Sequence, residues 1–147
     1  MVPALMGKMK IELAAASQSA AATRSANVDT LGADFAEIGV VCGIEANTSA
    51  ATVAIVVSES DTTDASAFAT WSSSFSRDED VSTAHNVRFL IDTRARKRYL
   101  KLQVTNGTHT TNDLFTSAAY SILTRREQNP VGTAGMIGST NDAVVIG

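Results

Sequence analysis

The chain has 147 residues, a formal net charge of −3 and 44% hydrophobic residues, so it fits one domain that can bury roughly 68–70% of its unfolded surface. The mild, mixed charge argues against general nucleic-acid binding, which draws its affinity from Lys and Arg on phosphates. Neither a membrane-spanning apolar run nor an intrachain disulfide is possible with this composition, because the apolar stretches are short and Cys42 is the single cysteine.

The N-terminus lacks the charge, long apolar core and cleavage site of a signal peptide, and the reading is a protein made and kept in a cytosol. Lys8 to Leu13 alternates and predicts a first strand with Met9, Ile11 and Leu13 on one side. Ala14 to Ala26 is small and polar with no large apolar stripe, which favours an extended or irregular arm over a helix. Phe35 to Glu45 and Thr52 to Ser58 predict two further strands. In the first, Cys42 falls within the alternation Ile38, Val40, Cys42, Ile44 and reads as a small buried hydrophobe. Apolar Val41, Ala54 and Val56 on the opposite faces suggest central strands or a second packed surface.

Between Asp61 and Trp71 the spacing of Asp64, Phe68 and Trp71 predicts one short helix capped by Thr62, Thr63 or Asp64 and packing Phe68 and Trp71 on a sheet. Arg77 to Asp80 reads as a solvated loop. In His85 to Thr105, Val87, Phe89 and Ile91 alternate with polar neighbours, as do Leu100, Leu102 and Val104. Thr93 to Arg96 is short enough to join the two runs as a hairpin, although it lacks an Asn-Gly or Asp-Gly pair. Leu90 interrupts the polar face and marks a contact. Phe115 to Arg125 predicts a last strand with Ala118, Tyr120, Ile122 and Thr124 on one side. The tail carries Gly132, Gly135 and Gly138 and shows an apolar pattern only at Ala143 to Ile146, a composition that becomes ordered on a neighbour.

About seven short strands with turns between them predict an all-β fold, an antiparallel β-sandwich of jelly-roll type with one short helix and extended terminal arms. The chain divides into an N-terminal arm at 1–26 with a possible first strand, a sandwich at 27–127 and a C-terminal tail at 128–147.

Chemistry-bearing patterns are sparse. Glu59, Asp61 and Asp64 could offer oxygen ligands to a hard cation, but their spacing matches no EF-hand loop and strand-end and helix-cap roles explain them. His85 and His109 lie in no metal-ligand spacing, and neither a nucleophile elbow nor a phosphate-binding glycine loop is present. Cys42 lacks the electropositive setting of a reactive thiolate. The densest basic cluster is Arg94, Arg96, Lys97 and Arg98, which Arg125 and Arg126 could join in space. Two readings fit it equally: a contact with an acidic protein surface, or a solvated turn whose charges discourage edge-to-edge strand pairing.

Four segments, Asn27 to Phe35 (NVDTLGADF), Val57 to Asp61 (VSESD), Arg96 to Leu102 (RKRYLKL) and Ser121 to Arg125 (SILTR), resemble in order and spacing a group of small structural proteins of tailed bacteriophages. That group is similar to the jelly-roll capsid cement, or head decoration, proteins. The resemblance implies a non-enzymatic homotrimer without metal or cofactor, seated on the outer capsid surface of the virion at junctions between major capsid protein hexamers. Its partners would be the major capsid protein and itself, with no direct nucleic-acid or membrane contact. On this expectation the intermolecular contacts fall on the N-terminal arm with Met9 and Ile11, on the basic turn with Arg94, Arg96, Lys97 and Arg98, on Arg125 and Arg126, and on the C-terminal tail. The alternatives are a tail, neck or fibre-associated virion protein, or a small β-sandwich enzyme or carbohydrate-binding module. Aromatics at 5% disfavour the last, because sugar rings commonly stack on them.

Overall fold

The computed structural model describes residues 8–19, 21–43, 52–78, 84–107, 115–125 and 142–146. Among them are nine strands: β1 (Lys8–Gln18), β2 (Thr23–Asp29), β3 (Phe35–Cys42), β4 (Thr52–Ser60), β5 (Ala69–Asp78), β6 (His85–Asp92), β7 (Tyr99–Thr105), β8 (Phe115–Thr124) and β9 (Asp142–Ile146). They form two sheets, one of order β1-β8-β3-β6-β9 and one of order β2-β7-β4-β5. The first eight strands pair antiparallel throughout, four to a sheet, and successive strands alternate between sheets except at β4–β5. This is the two-Greek-key jelly roll, and the fold class expected from the strand pattern is the one observed. β9 is an addition, running parallel to β6.

Alternation builds the core as the sequence requires. Ile38, Val40 and Cys42 of β3, Val53, Ile55 and Val57 of β4, Val87, Phe89 and Ile91 of β6 and Leu100, Leu102 and Val104 of β7 are all buried in one cluster between the sheets. β-Branched residues dominate it, which suits stiff side chains standing on a pleated surface.

The link between β6 and β7 departs from the expected hairpin. These strands belong to opposite sheets, and the chain crosses the sandwich through a 3-10 turn at Thr93–Ala95 that Asp92 caps, its Oδ1 accepting from Arg94 N at 3.1 Å. Both strands have a strongly apolar face. Crossing lets the two faces meet across the core, which a hairpin in one sheet would not do.

Three other local expectations change. The expected short helix is a single 3-10 turn, Ala65–Ala67, capped by Asp64; Trp71 lies in β5. The stretch Ala14 to Ala26, expected to be an extended or irregular arm, is extended but is part of the sandwich: it contains the second half of β1 and most of β2, so a boundary at 26/27 falls inside a strand. Finally, Met9, Ile11 and Leu13 do not share a face. A β-bulge between Ile11 and Leu13 turns Leu13 into the core at 8% exposure while Met9 and Ile11 stay 65% and 70% exposed.

The β1–β2 corner is held by a buried polar network. Gln18 Nε2 donates to Ala22 O and Val104 O, each at 3.1 Å, and Gln18 Oε1 accepts from Ser117 Oγ at 2.6 Å. Arg24 of β2 reaches across the open side of the sandwich, with Nη1 donating to Ser117 O at 2.7 Å and Nη2 to Ala14 O at 2.6 Å. The guanidinium thereby bonds Ala14 O, which lies where the register of β1 against β8 shifts between Leu13 and Ala16, and ties it to Ser117 O of β8.

Candidate interaction surfaces

One end of the sandwich gathers the basic residues singled out in the sequence. Phe35 stands opposite both Asp92 and Thr124, so the start of β3, the β6–β7 crossing and the end of β8 come together. Arg94, Lys97, Arg98 and Arg125 each have a local acidic or carbonyl partner. Arg98 forks onto Asp29, Nε to Oδ1 at 2.9 Å and Nη2 to Oδ2 at 2.7 Å. Arg94 does the same with Asp92, at 2.9 and 2.5 Å, and lies over the Phe35 ring at 5.0 Å. Lys97 donates its backbone N–H to Glu59 Oε2 at 3.3 Å and places Nζ 3.8 Å from Asp61. Arg96 is half-buried in the same loop. Arg125 Nε donates to Gly32 O; Gly32 has φ +79°, and an added Cβ there would meet the Arg125 guanidinium at 2.8 Å. Arg126 lies outside the described residues.

These pairs are exposed and contribute little stability individually. Their effect is on the field: of the four cations in the loop, Arg94, Lys97 and Arg98 each have an aspartate beside them, Asp92, Asp61 and Asp29 respectively. The acidic trio is likewise occupied. Glu59 and Asp61 face Lys97, and Asp64 accepts from Ser66 N at 3.0 Å and Ser66 Oγ at 2.9 Å. Among the described residues no cluster of three or more His, Cys, Asp or Glu could hold a metal, and no helix is long and apolar enough to cross a membrane.

The Arg98 hydrogen bonds hold the Asp29 carboxyl below the usual aspartate range, and those from Arg94 do so for Asp92. A carboxylate more acidic in the folded chain contributes stability above the ordinary aspartate range that is lost as pH falls through its folded value. Thermal melts from about pH 5 to about pH 2 are therefore expected to show a falling melting temperature with a shallower slope in a D29N/D92N variant. Identical acid limbs would mean that these forks do not form.

The second surface is the outer face of the five-stranded sheet. Cross-strand register aligns Met9, Ile122, Glu37 and Leu90 in one row, and Ile11, Tyr120, Gly39 and Arg88 in the next. Met9, Ile11 and Val41 are exposed, at 65%, 70% and 42%. Tyr120 lies flat over Gly39: a Cβ at position 39 would sit 2.2 Å from Tyr120 Cζ. The Tyr120 hydroxyl donates to Glu37 Oε1 at 3.2 Å, and Arg88 Nε is 3.6 Å from the same oxygen. Burial and the Glu37 charge raise the phenol's pKa.

Searches against protein-family models, curated proteins and solved structures find no match to this chain.

Three surface depressions lined by described residues are small. One of about 180 Å³ lies beside Tyr120, Asn86 and Arg88, another of about 250 Å³ beside Leu31, Leu123 and Arg125. Both fall short of the roughly 300–1,000 Å³ of ordinary small-molecule sites. A third, of about 110 Å³, adjoins Glu12, whose side chain is only 2% exposed and accepts from Lys10 Nζ at 2.8 Å and Ser121 Oγ at 2.6 Å.

Of the expected contact residues, Met9 and Ile11 thus come together with Tyr120 and Ile122, which sequence reading did not single out as surface. The alternation expected for β8 is observed, and the structure shows which side faces the core. Ser117, Ala119 and Ser121 face inward and are buried, while Tyr120 and Ile122 are half-buried on the outside. Small inward residues were the available signal, because a thin core opposite bulky neighbours needs them.

Proposed function

We propose that this protein is a non-enzymatic virion component, a cement protein that binds the outer surface of a phage head and stabilises contacts between capsomers of the major capsid protein, acting as a homotrimer. The jelly roll agrees with the fold that the four resembling segments imply. The observation that carries the reading furthest is the exposed pair Met9 and Ile11, continued by Ile122, Tyr120 and Val41 on one sheet face. Contiguous apolar surface of this kind suits a protein partner. The ion-paired end of the sandwich suits the polar rim of such a contact rather than its centre.

Adding purified protein to expanded capsids that lack it, and counting bound copies by cryo-electron microscopy, tests the proposal. The chain is expected to occupy sites between capsomers. An M9E/I11E variant is expected to lose occupancy at least about tenfold, since it places two unpaired carboxylates in an apolar contact, where each buried charge is costly. Its stability should stay within about 0.5 kcal/mol, as for other exposed substitutions. No binding by the unaltered chain would sink the cement role; full binding by the variant would move the contact to another face.

A further inference from the structure

We infer that β9 is an exchangeable strand, and that the β6 edge of one copy accepts the C-terminal strand of a second copy of this chain. The jelly roll is complete without β9, which is the one parallel strand among those described. Yet the β6 edge needs a cover. Leu90 is only 7% exposed although it lies on the outer face, outside the core between the sheets, and the register position opposite it on the edge side is Ile146 of β9. A bare β6 would also present a row of unpaired backbone groups.

Connectivity leaves the donor open. β8 ends at Thr124, opposite Phe35, whereas β9 starts at Asp142, opposite Asn86, at the other end of the sheet and beyond β3 and β6. From strand rise and spacing that gap is about 25 Å. Residues 125–141, a stretch with Gly132, Gly135 and Gly138, reach at most about 55–60 Å when extended. The slack is enough for the strand to seat on its own β6 or on that of an adjacent copy. A connection of this length corresponds to an effective concentration on the order of millimolar for its own strand, so exchange competes once copies are held side by side at similar concentration. The inference concerns the isolated protein and does not rest on the capsid role.

Cysteines at the facing positions Arg88 and Val144 test it, since neighbouring strands lie about 4.8 Å apart, within disulfide reach. Single variants R88C and V144C are unfolded together, refolded at about 1 mM and oxidised; at that concentration exchange rivals self-closure. Non-reducing gels should then show a two-chain band that needs both variants. The R88C/V144C double variant at about 1 µM, far below the tether's effective concentration, should close within one chain. Intrachain closure with no two-chain band in the mixture would overturn exchange. Should the cysteine variants misfold, sedimentation of the unaltered chain against a V144P/V145P variant decides, because adjacent residues donate alternately to the neighbouring strand and one of the two prolines therefore removes a ladder N–H. Exchange predicts that self-association weakens at least tenfold in the proline variant; equal association, or none in the unaltered chain up to about 1 mM, overturns it.

Discussion

Replacing Phe89 with alanine is expected to cost about 3–5 kcal/mol of folding stability, the usual range for a fully buried aromatic. Phe89 is 0% exposed and is the one aromatic in the described core cluster. Ile38 stands opposite it in the sheet, and most of the cluster, including Val40, Ile55 and Val87, is β-branched, with few alternative rotamers by which to close a void. The residual cavity should therefore persist, and the melting temperature should fall on the order of 10 °C. Chemical denaturation of F89A and F89L beside the unaltered chain measures this, with F89L expected to lose less. A loss below about 1 kcal/mol in F89A would mean that the sheets do not meet over this residue, since even one buried methylene is worth about that much.

A second large loss is expected at Gln18, a polar residue in a place where sequence pattern gives no reason to expect burial. Its side chain satisfies Ala22 O, Val104 O and Ser117 Oγ while only 3% exposed. Alanine removes all three partners at once, and with leftover buried groups costing about 1–3 kcal/mol each and partly re-solvated, a total of about 2–4 kcal/mol is expected. Q18E should be worse at neutral pH. It places a carboxylate against two carbonyl oxygens, which raises the folded-state pKa of the new acid; stability should then recover as pH falls through that raised value, when the acid regains a proton to donate. Urea titrations of Q18E from neutral to mildly acidic pH read this directly, and a variant whose stability only declines with acid would contradict the network.

Much of the scaffold was legible because it rests on period-two alternation, a signal carried by single strands. Val53, Ile55 and Val57, or Leu100, Leu102 and Val104, declare a buried face without knowledge of any partner. What was not legible depends on pairs far apart in the chain. The bulge that separates Leu13 from Met9 and Ile11 is a register shift against β8, invisible in β1 itself. Asp29 lies 69 residues from the arginine it neutralises, so the basic turn looked more positive than it is. β5 escaped notice because Asp64 and Phe68 mimic a helical repeat over a stretch too short to distinguish the two periods. Candidate surface residues were half legible for the same reason: Met9 and Ile11 stand out by type, whereas Tyr120 and Ile122 become their neighbours only through pairing.

Gly39 and Tyr120 are far apart in the sequence yet compete for a single volume. The ring takes the space a side chain at 39 would need, so the two positions cannot vary independently. Any relative with alanine or a larger residue at 39 is expected to carry a small residue at 120, and with it to lose the phenol that ties Glu37 to this face. A glycine that looks like a weak point in a central strand is in effect half of an aromatic residue's binding pocket, and the pair would serve as a fingerprint for recognising kin whose remaining sequence has drifted.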